Sequence, residues 1–177
     1  MLYRGHSETH SNLLPTLARS VQGGAYDAAT LLERRLLEKF RRHYLELQSL
    51  PGDMPSGDEV QAKADVDVLS LMQHYEVPSR LLDWSESIWV AAYFACAAHS
   101  DKDAELWFAS EQLLDPTPDD LPASRVKEIV SASIGGRPAE YHPTWGMPHI
   151  AVMSPMSNAR LRAQQGRLTA SDNATVD

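Results

Sequence analysis

The chain has 177 residues, of which 43% are hydrophobic, and this is enough for one domain with a buried core. Its 24 acidic and 16 basic residues give a net charge of −8, which argues against non-specific nucleic-acid binding by the whole surface. No apolar stretch reaches the length of a membrane span, and no secretory signal is found. A single cysteine, Cys96, excludes an internal disulfide and a cysteine-based zinc site, so we expect a cytoplasmic protein.

The first half of the chain predicts one short strand and two helices. A strand is expected at residues 1–6, ended by Gly5, and a polar loop at residues 7–24. A long helix is predicted over residues 27–48, because large apolar side chains recur there at helical spacing without proline or glycine. A second amphipathic helix is predicted over residues 58–75.

The second half predicts further strands around one apolar helix. Residues 87–99 are rich in alanine and aromatic side chains, which is typical of a buried helix. Strands are expected at residues 105–108 and 149–153, with a modest helix near residues 123–131. Alternating polar and apolar residues at 158–170 fit either a strand or a short helix.

These elements predict a single α+β domain over residues 1–170. Strands near both ends with helices between them favour a small mixed or antiparallel sheet accompanied by several helices. The polar residues 171–177 are expected to form a disordered tail. Cys96 falls inside the apolar helix and is therefore expected to be an inert core thiol.

The densest group of chemically functional residues lies between Gln73 and Ser85, in the segment QHYEVPSRLLDWS. It contains a histidine, an arginine, an aspartate, a tryptophan and two serines. Pro78 prevents the segment from forming one unbroken helix, so a polar turn between two buried elements is expected. Loops that a rigid scaffold positions are where binding and catalytic groups concentrate.

This segment resembles the centre of the FRG domain family, which carries His-Tyr-Gly-x-Pro-Thr-Arg-Leu-Leu-Asp-Trp-Thr. Two further family elements occur in the family's order: an aromatic-Arg-Gly at Tyr3-Arg4-Gly5 and a Gln-x-Gly at Gln164-Gln165-Gly166. The resemblance thus covers nearly the whole chain. The chain departs from the family pattern at Glu76, where glycine is usual, and at Ser79 and Ser85, which replace threonine but keep its hydroxyl.

A second resemblance is to ADP-ribosyltransferases, in which a first-strand arginine or histidine binds the dinucleotide. A serine-rich strand then precedes an Ala-x-x-Phe-Ala helix, and a late Gln-x-Glu completes the site. The counterparts here are Arg4, Trp84-Ser85 with residues 91–95, and Gln164-Gln165. Gly166 stands where the catalytic glutamate would be. This resemblance implies an ADP-ribosyltransferase-like fold with NAD as the substrate, and no metal site is expected.

The resemblances imply two overlapping sets of functional residues. Arg4 would bind the pyrophosphate or a ribose, since a guanidinium binds phosphates with two parallel hydrogen bonds. Gly5 would let a ligand approach the backbone closely. The expected NAD-binding residues are Tyr3, Arg4, Gly5, Arg80, Trp84 and Ser85. The expected catalytic residues are Arg4, His74, Asp83, Gln164 and Gln165.

Several of these residues also have a purely structural interpretation. His74 fits either a helix C-cap or a general acid or base. Arg80 and Asp83 predict an ion pair that would hold the turn in shape. Trp84 fits either a ring that stacks on a ligand or a large core anchor. The sequence leaves these alternatives open.

Two main classes of function therefore fit, with a weaker third. The first is an NAD-dependent ADP-ribosyltransferase-like toxin or anti-phage defence effector that modifies a nucleic acid or a protein, with an antitoxin or other partner protein expected and no membrane. The second is a non-catalytic module that binds a nucleotide or a partner, which the missing glutamate favours. The third is an RNase built on His74 and an acidic residue.

Overall fold

A computed structural model gives the fold. It describes residues 1–9, 12–21, 26–47, 65–98, 101–110, 133–134, 150–153 and 165–171. Along the chain the helices and strands are β1 (Leu2–His6), α1 (Thr16–Ser20), α2 (Tyr26–Leu47), α3 (Asp65–His74), β2 (Leu81–Ser85), α4 (Ile88–Ala97), β3 (Glu105–Ala109), β4 (Ile150–Met153) and β5 (Gly166–Ser171). Helices and strands are thus mixed along the described part of the chain, which confirms the predicted α+β class.

The strands form one five-stranded sheet in the order β3-β1-β2-β5-β4. Each neighbouring pair is antiparallel, so the sheet is the antiparallel form of the two that the sequence allowed. The β2–β5 ladder runs from Leu81 opposite Ala170 to Ser85 opposite Gly166. The central motif therefore provides an interior strand of the sheet.

The core lies where α2 and α3 pack against β2 and β5. Apolar residues of α2 recur at helical spacing and point to one side, which buries them. The buried residues of this cluster include Leu37, Phe40 and Tyr44 from α2, Val68, Leu69, Leu71 and Met72 from α3, and Leu81, Leu168 and Ala170 from the strands. Because the core contains residues of β2, the packing of both helices fixes the position of the motif strand.

Two segments differ from the prediction. Residues 81–85 form β2 rather than part of a turn, because α3 already ends at His74 and only Ser79 and Arg80 separate Pro78 from the extended segment. The predicted loop at residues 7–24 contains α1, whose Leu17 is fully buried against Ala29. A helix of five residues is too short to show a helical period in the sequence.

The apolar helix α4 is not buried as predicted. Only its Ala91 and Ala95 are buried, whereas Trp89 is 81% exposed and Tyr93 is 68% exposed. Cys96 is also exposed, so the expected core thiol was wrong. Composition alone could not tell which side of this helix would meet the sheet, because nearly every side chain in it is apolar.

Other predictions fall partly or wholly outside the described residues. The predicted helix at residues 123–131 and the first part of the predicted helix at residues 58–75 lie outside them. In the late segment, Gly166 begins a strand instead of ending a helix, and Ser171 is the last residue of that strand rather than the first of a tail. Among the described helices, none combines the length and the apolar character needed to cross a membrane.

A fully buried ion pair joins Arg80 to Glu33 of α2. The Arg80 Nε donates to Glu33 Oε2 at 2.7 Å, and the Arg80 backbone N–H donates to Glu33 Oε1 at 3.2 Å. The Arg80 Nη1 also donates to Ser133 Oγ at 3.1 Å and to the backbone oxygen of Ser171 at 3.0 Å. Arg80 thus connects α2, the start of β2 and the end of β5.

The predicted pairing of Arg80 with Asp83 is therefore wrong. Arg80 lies in a bend just before β2, and its guanidinium reaches Glu33 rather than Asp83. Arg80 points into the interior, where Glu33 meets it, and Asp83 points elsewhere. Glu33 lies 47 residues before Arg80 in the sequence, which gave no local signal for this partner.

We predict that Glu33→Gln lowers the free energy of unfolding by about 3–5 kcal/mol, because it leaves a buried guanidinium without its counter-charge. Urea denaturation measures the loss. The matched control is Lys102→Gln, which breaks the half-exposed pair between Lys102 and Glu8 and is expected to cost less than about 1 kcal/mol. Equal small losses in both variants would contradict a structural role for the buried pair.

Candidate functional site

A cavity of about 510 Å³ lies where β1, β2 and β5 meet α1, α3 and α4. Its size falls within the range of small-molecule binding sites. Both apolar and polar side chains line it. Because β1 and the motif strand β2 are neighbours in the sheet, residues about eighty positions apart in sequence face the same space.

The cavity brings together most of the residues that the sequence singled out. Those that line it are Tyr3, Arg4, Gly5, His74, Asp83, Trp84 and Ser85. Arg80 is not a lining residue, because its guanidinium is buried against Glu33, and this contradicts its predicted role in binding NAD. Gln165 does not line the cavity either, and Gln164 lies outside the described residues.

Arg4 is held in place between β1 and β2. These two strands pair at Tyr3 and Ser85, and beyond that point the Arg4 Nη1 donates to the Asp83 backbone oxygen at 2.6 Å. The Arg4 Nε donates to His6 Nε2 at 2.8 Å, so this imidazole nitrogen carries no proton. Because both bonds fix the side chain, the guanidinium is a preorganised cation on the cavity wall.

Asp83 faces the same wall, and its Oδ2 lies 3.9 Å from Arg4 Nη1. The walls of the cleft raise the pKa of Asp83 by desolvation, while the Arg4 charge and a hydrogen bond from Gln73 oppose that rise. The side chain is still 56% accessible, because the carboxylate opens toward the cavity. A carboxylate with a raised pKa that a ligand can reach is suited to accept a proton.

Burial also acts on the guanidinium. Desolvation lowers the pKa of Arg4, Asp83 raises it in return, and the nearby Arg19 lowers it further. The Arg4 side chain is 18% accessible. Arg4 and Asp83 are therefore coupled charges at the edge of a cavity, unlike the fully buried pair of Arg80 and Glu33.

Gln73, the first residue of the motif, positions Asp83. Its Oε1 accepts a hydrogen bond from Ser79 Oγ at 2.6 Å, and its amide side chain bonds the Asp83 carboxylate. The sequence analysis gave Gln73 no functional role and so missed this one. Its place at the head of the motif was the available signal.

Trp84 and Ser85 have structural contacts as well as a place on the cavity wall. The Trp84 ring is buried, and its Nε1 donates to Thr169 Oγ1 at 2.9 Å, which matches the core-anchor interpretation. Ser85 Oγ accepts a bond from the Ser87 backbone N–H at 3.0 Å and so shapes the turn into α4.

His74 is the last residue of α3, and it is exposed on the cavity wall. Its ring meets Tyr75 edge-on at a centroid distance of 5.3 Å, and Tyr75 packs against the core. This position fits both interpretations of His74, since the ring lies at a helix C-terminus and the cavity gives it access to a ligand.

Two backbone positions explain the family's glycines. Glu76 has φ 59°, in the left-handed region that favours glycine, the residue that is usual at this position in the family. At Gly5, a Cβ would lie 1.9 Å from the Ala91 backbone oxygen of α4. The space beside Gly5 is therefore filled by a helix, which corrects the expectation that the glycine admits a ligand there.

The sequence also missed other residues of the cavity. His6 fixes Arg4, and its signal was its position two residues later on the same strand. Arg167 of β5 lines the cavity and pairs with Glu86. Arg19 lies in a helix that the sequence did not reveal. Among the described residues, no group of three or more His, Cys, Asp or Glu side chains is placed to hold a metal ion.

Comparison with known proteins supports the motif assignment. A family model for the FRG domain matches residues 1–104, which include β1, the motif strand and α4. This match spans more than half of the 177 residues. Comparisons with the curated proteins and with the solved structures gave no match.

We predict that the Asp83 carboxyl titrates above the ordinary aspartate range, because the cleft desolvates it. Carbon-detected NMR of the side chain measures this pKa. Since Arg4 stabilises the carboxylate, Arg4→Met should raise the pKa further. The raised native pKa also implies that the unfavourable contribution of the ionised Asp83 to stability fades as the pH falls through that pKa. An Asp83 pKa in or below the ordinary aspartate range that does not change in Arg4→Met would contradict the coupling between Asp83 and Arg4.

Proposed function

The chain belongs to the FRG domain family, and from that premise and the cavity we propose that it binds NAD and transfers ADP-ribose to a macromolecular acceptor, either a nucleic acid or a protein. The observation that carries this proposal is the fixed Arg4 cation beside the accessible Asp83 carboxylate in a cavity of about 510 Å³. The implied role as a toxin or defence effector, the antitoxin or other partner protein and the cytoplasmic location belong to the same proposal.

The chemistry of ADP-ribose transfer explains why these two groups are needed. Breaking the bond between nicotinamide and ribose builds positive charge on the ribose ring, which a nearby carboxylate stabilises. The diphosphate needs a cation that holds it in one position, which lowers the entropic cost of aligning the reacting atoms. In this proposal Asp83 is the carboxylate that stabilises the charge on the ribose, and Arg4 is a cation that holds the diphosphate.

The proposed reaction breaks one bond and forms another. The ribose C1′–nicotinamide bond breaks, and neutral nicotinamide leaves with the bonding electrons. A hydroxyl or amine of the acceptor attacks C1′ and loses its proton. Asp83 takes that proton, for which its raised pKa suits it. In the same proposal Ser85, which lines the cavity, orients a ribose hydroxyl or the acceptor.

A second function is favoured by a specific observation. Gly166 begins β5 at the place where an ADP-ribosyltransferase would carry its glutamate, and Asp83 is already engaged by Arg4 and Gln73. Without the late glutamate, and with Asp83 held by these contacts, the cavity would bind a nucleotide without chemistry. This candidate is a non-catalytic nucleotide-binding or partner-binding module of a defence system.

We predict that Asp83→Asn lowers ADP-ribose transfer by about a hundredfold or more, because a positioned acid or base contributes about 10²–10⁴ in rate. Transfer of labelled ADP-ribose from NAD to RNA, DNA and protein acceptors measures the loss. Asp103→Asn is the matched control, since Asp103 is exposed and lies outside the cavity.

The outcomes separate the candidate functions. Undiminished transfer by Asp83→Asn would contradict the proposed role of this carboxylate. NAD binding by the wild type without transfer to any acceptor would favour the binding module. Cleavage of RNA without NAD, lost in His74→Ala, would favour the RNase that the sequence kept as a third candidate.

A further inference from the structure

Arg19 provides a further guanidinium on the wall of the cavity. It lies in the last turn of α1, is exposed, and lines the cavity together with Arg4. The Arg19 Nη2 donates to Thr16 Oγ1 at 3.3 Å, a weak bond within its own helix. In the described part of the chain, Arg19 has no carboxylate partner.

The position of Arg19 is fixed although α1 is short. The Leu17 side chain is fully buried against Ala29 of α2, and the Leu17 backbone N–H donates to the Ser79 oxygen at 3.1 Å. One contact anchors the helix to the core and the other anchors it to the motif. Arg19, two residues after Leu17, therefore extends from a fixed backbone toward the cavity.

The charged groups of this wall are only partly paired with one another. Arg4 and Arg19 are close enough for their charges to interact, and the carboxylate that lies near Arg4 is Asp83. Elsewhere on the wall, Arg167 is paired with Glu86, while His74 and Glu76 are exposed. Among the described residues, the carboxylates that line the cavity are those of Asp83 and Glu76, and neither forms an ion pair with Arg19.

The two arginines differ in the donors that they can offer. Arg4 already donates to His6 and to the Asp83 backbone oxygen. Arg19 keeps most of its five N–H donors for a ligand. A guanidinium with open donors binds phosphate oxygens in pairs, and a second guanidinium nearby adds to the attraction.

We propose that Arg19 is the phosphate-binding residue of this cavity and that, together with Arg4, it holds the diphosphate of a nucleotide. This inference rests on the proposed nucleotide-binding function of the same cavity. It places the phosphates at the α1 side of the cavity. The ribose that carries the reacting bond then lies on the side of Asp83.

Calorimetric titration with ADP and with adenosine tests the inference. Arg19→Gln is expected to weaken ADP binding by about tenfold to a hundredfold, since charged hydrogen bonds have this strength, and to leave adenosine binding unchanged within about twofold. Arg19→Lys should recover part of the loss. Arg35→Gln is the matched control, because it removes the same charge from an exposed site on α2 outside the cavity.

Several results would overturn the inference. These are unchanged ADP binding by Arg19→Gln, an equal loss for ADP and adenosine, or no ADP binding by the wild type. The unfolding midpoint of Arg19→Gln shows whether the variant is folded. If NAD transfer is absent but ADP binding depends on Arg19, the transferase proposal fails and this inference stands. If transfer occurs with an unchanged KM for NAD in Arg19→Gln, this inference alone fails.

Discussion

The buried ion pair between Arg80 and Glu33 is the constraint on which the site depends. Removing two charges from water is costly, and the pair tolerates it because the guanidinium also bonds Ser133 and the Ser171 backbone. These bonds fix Arg80, the residue just before β2, relative to α2 and to the end of β5. Leu81, the next residue, then packs in the core, and Asp83, two residues later on the same side of β2, lies at the cavity.

The second pair of charges has the opposite character. Arg4 and Asp83 meet at 3.9 Å at the edge of a cavity, where both remain partly accessible. Such a pair adds little to stability, but it leaves a fixed cation and a carboxylate of raised pKa within reach of a ligand. The motif thus supplies one arginine for architecture and presents its aspartate to the arginine of β1.

Much of the fold could be predicted from local patterns. The helical period identified α2, and strands were expected where β1, β3 and β4 are found. The strand at residues 81–85 was missed because Pro78 and the polar residues around it indicated a turn. The exposed side of α4 was missed because its composition is apolar all round, whereas the side that meets the sheet is the one that packs on β1, where Gly5 lies against Ala91.

The residues of the site, like the fold, could be predicted only in part from the sequence. The family motif led to Arg4, Asp83 and Trp84, and these residues do line one cavity. The motif could not separate Arg80 from them, because the decisive partner, Glu33, lies 47 residues away in a helix whose pattern reports only its apolar face. Arg19 was invisible for a related reason, since α1 is too short to leave a period in the sequence.

The measurement that matters most is a calorimetric titration of the folded protein with NAD. It compares the wild type with Arg4→Ala and so tests whether the cavity binds NAD through Arg4. Arg34→Ala, which removes an exposed arginine of α2 outside the cavity, is the control. We expect the wild type and Arg34→Ala to bind NAD and Arg4→Ala to have lost this binding. No binding by the wild type, or equally tight binding by Arg4→Ala, would contradict the assignment of this cavity to NAD.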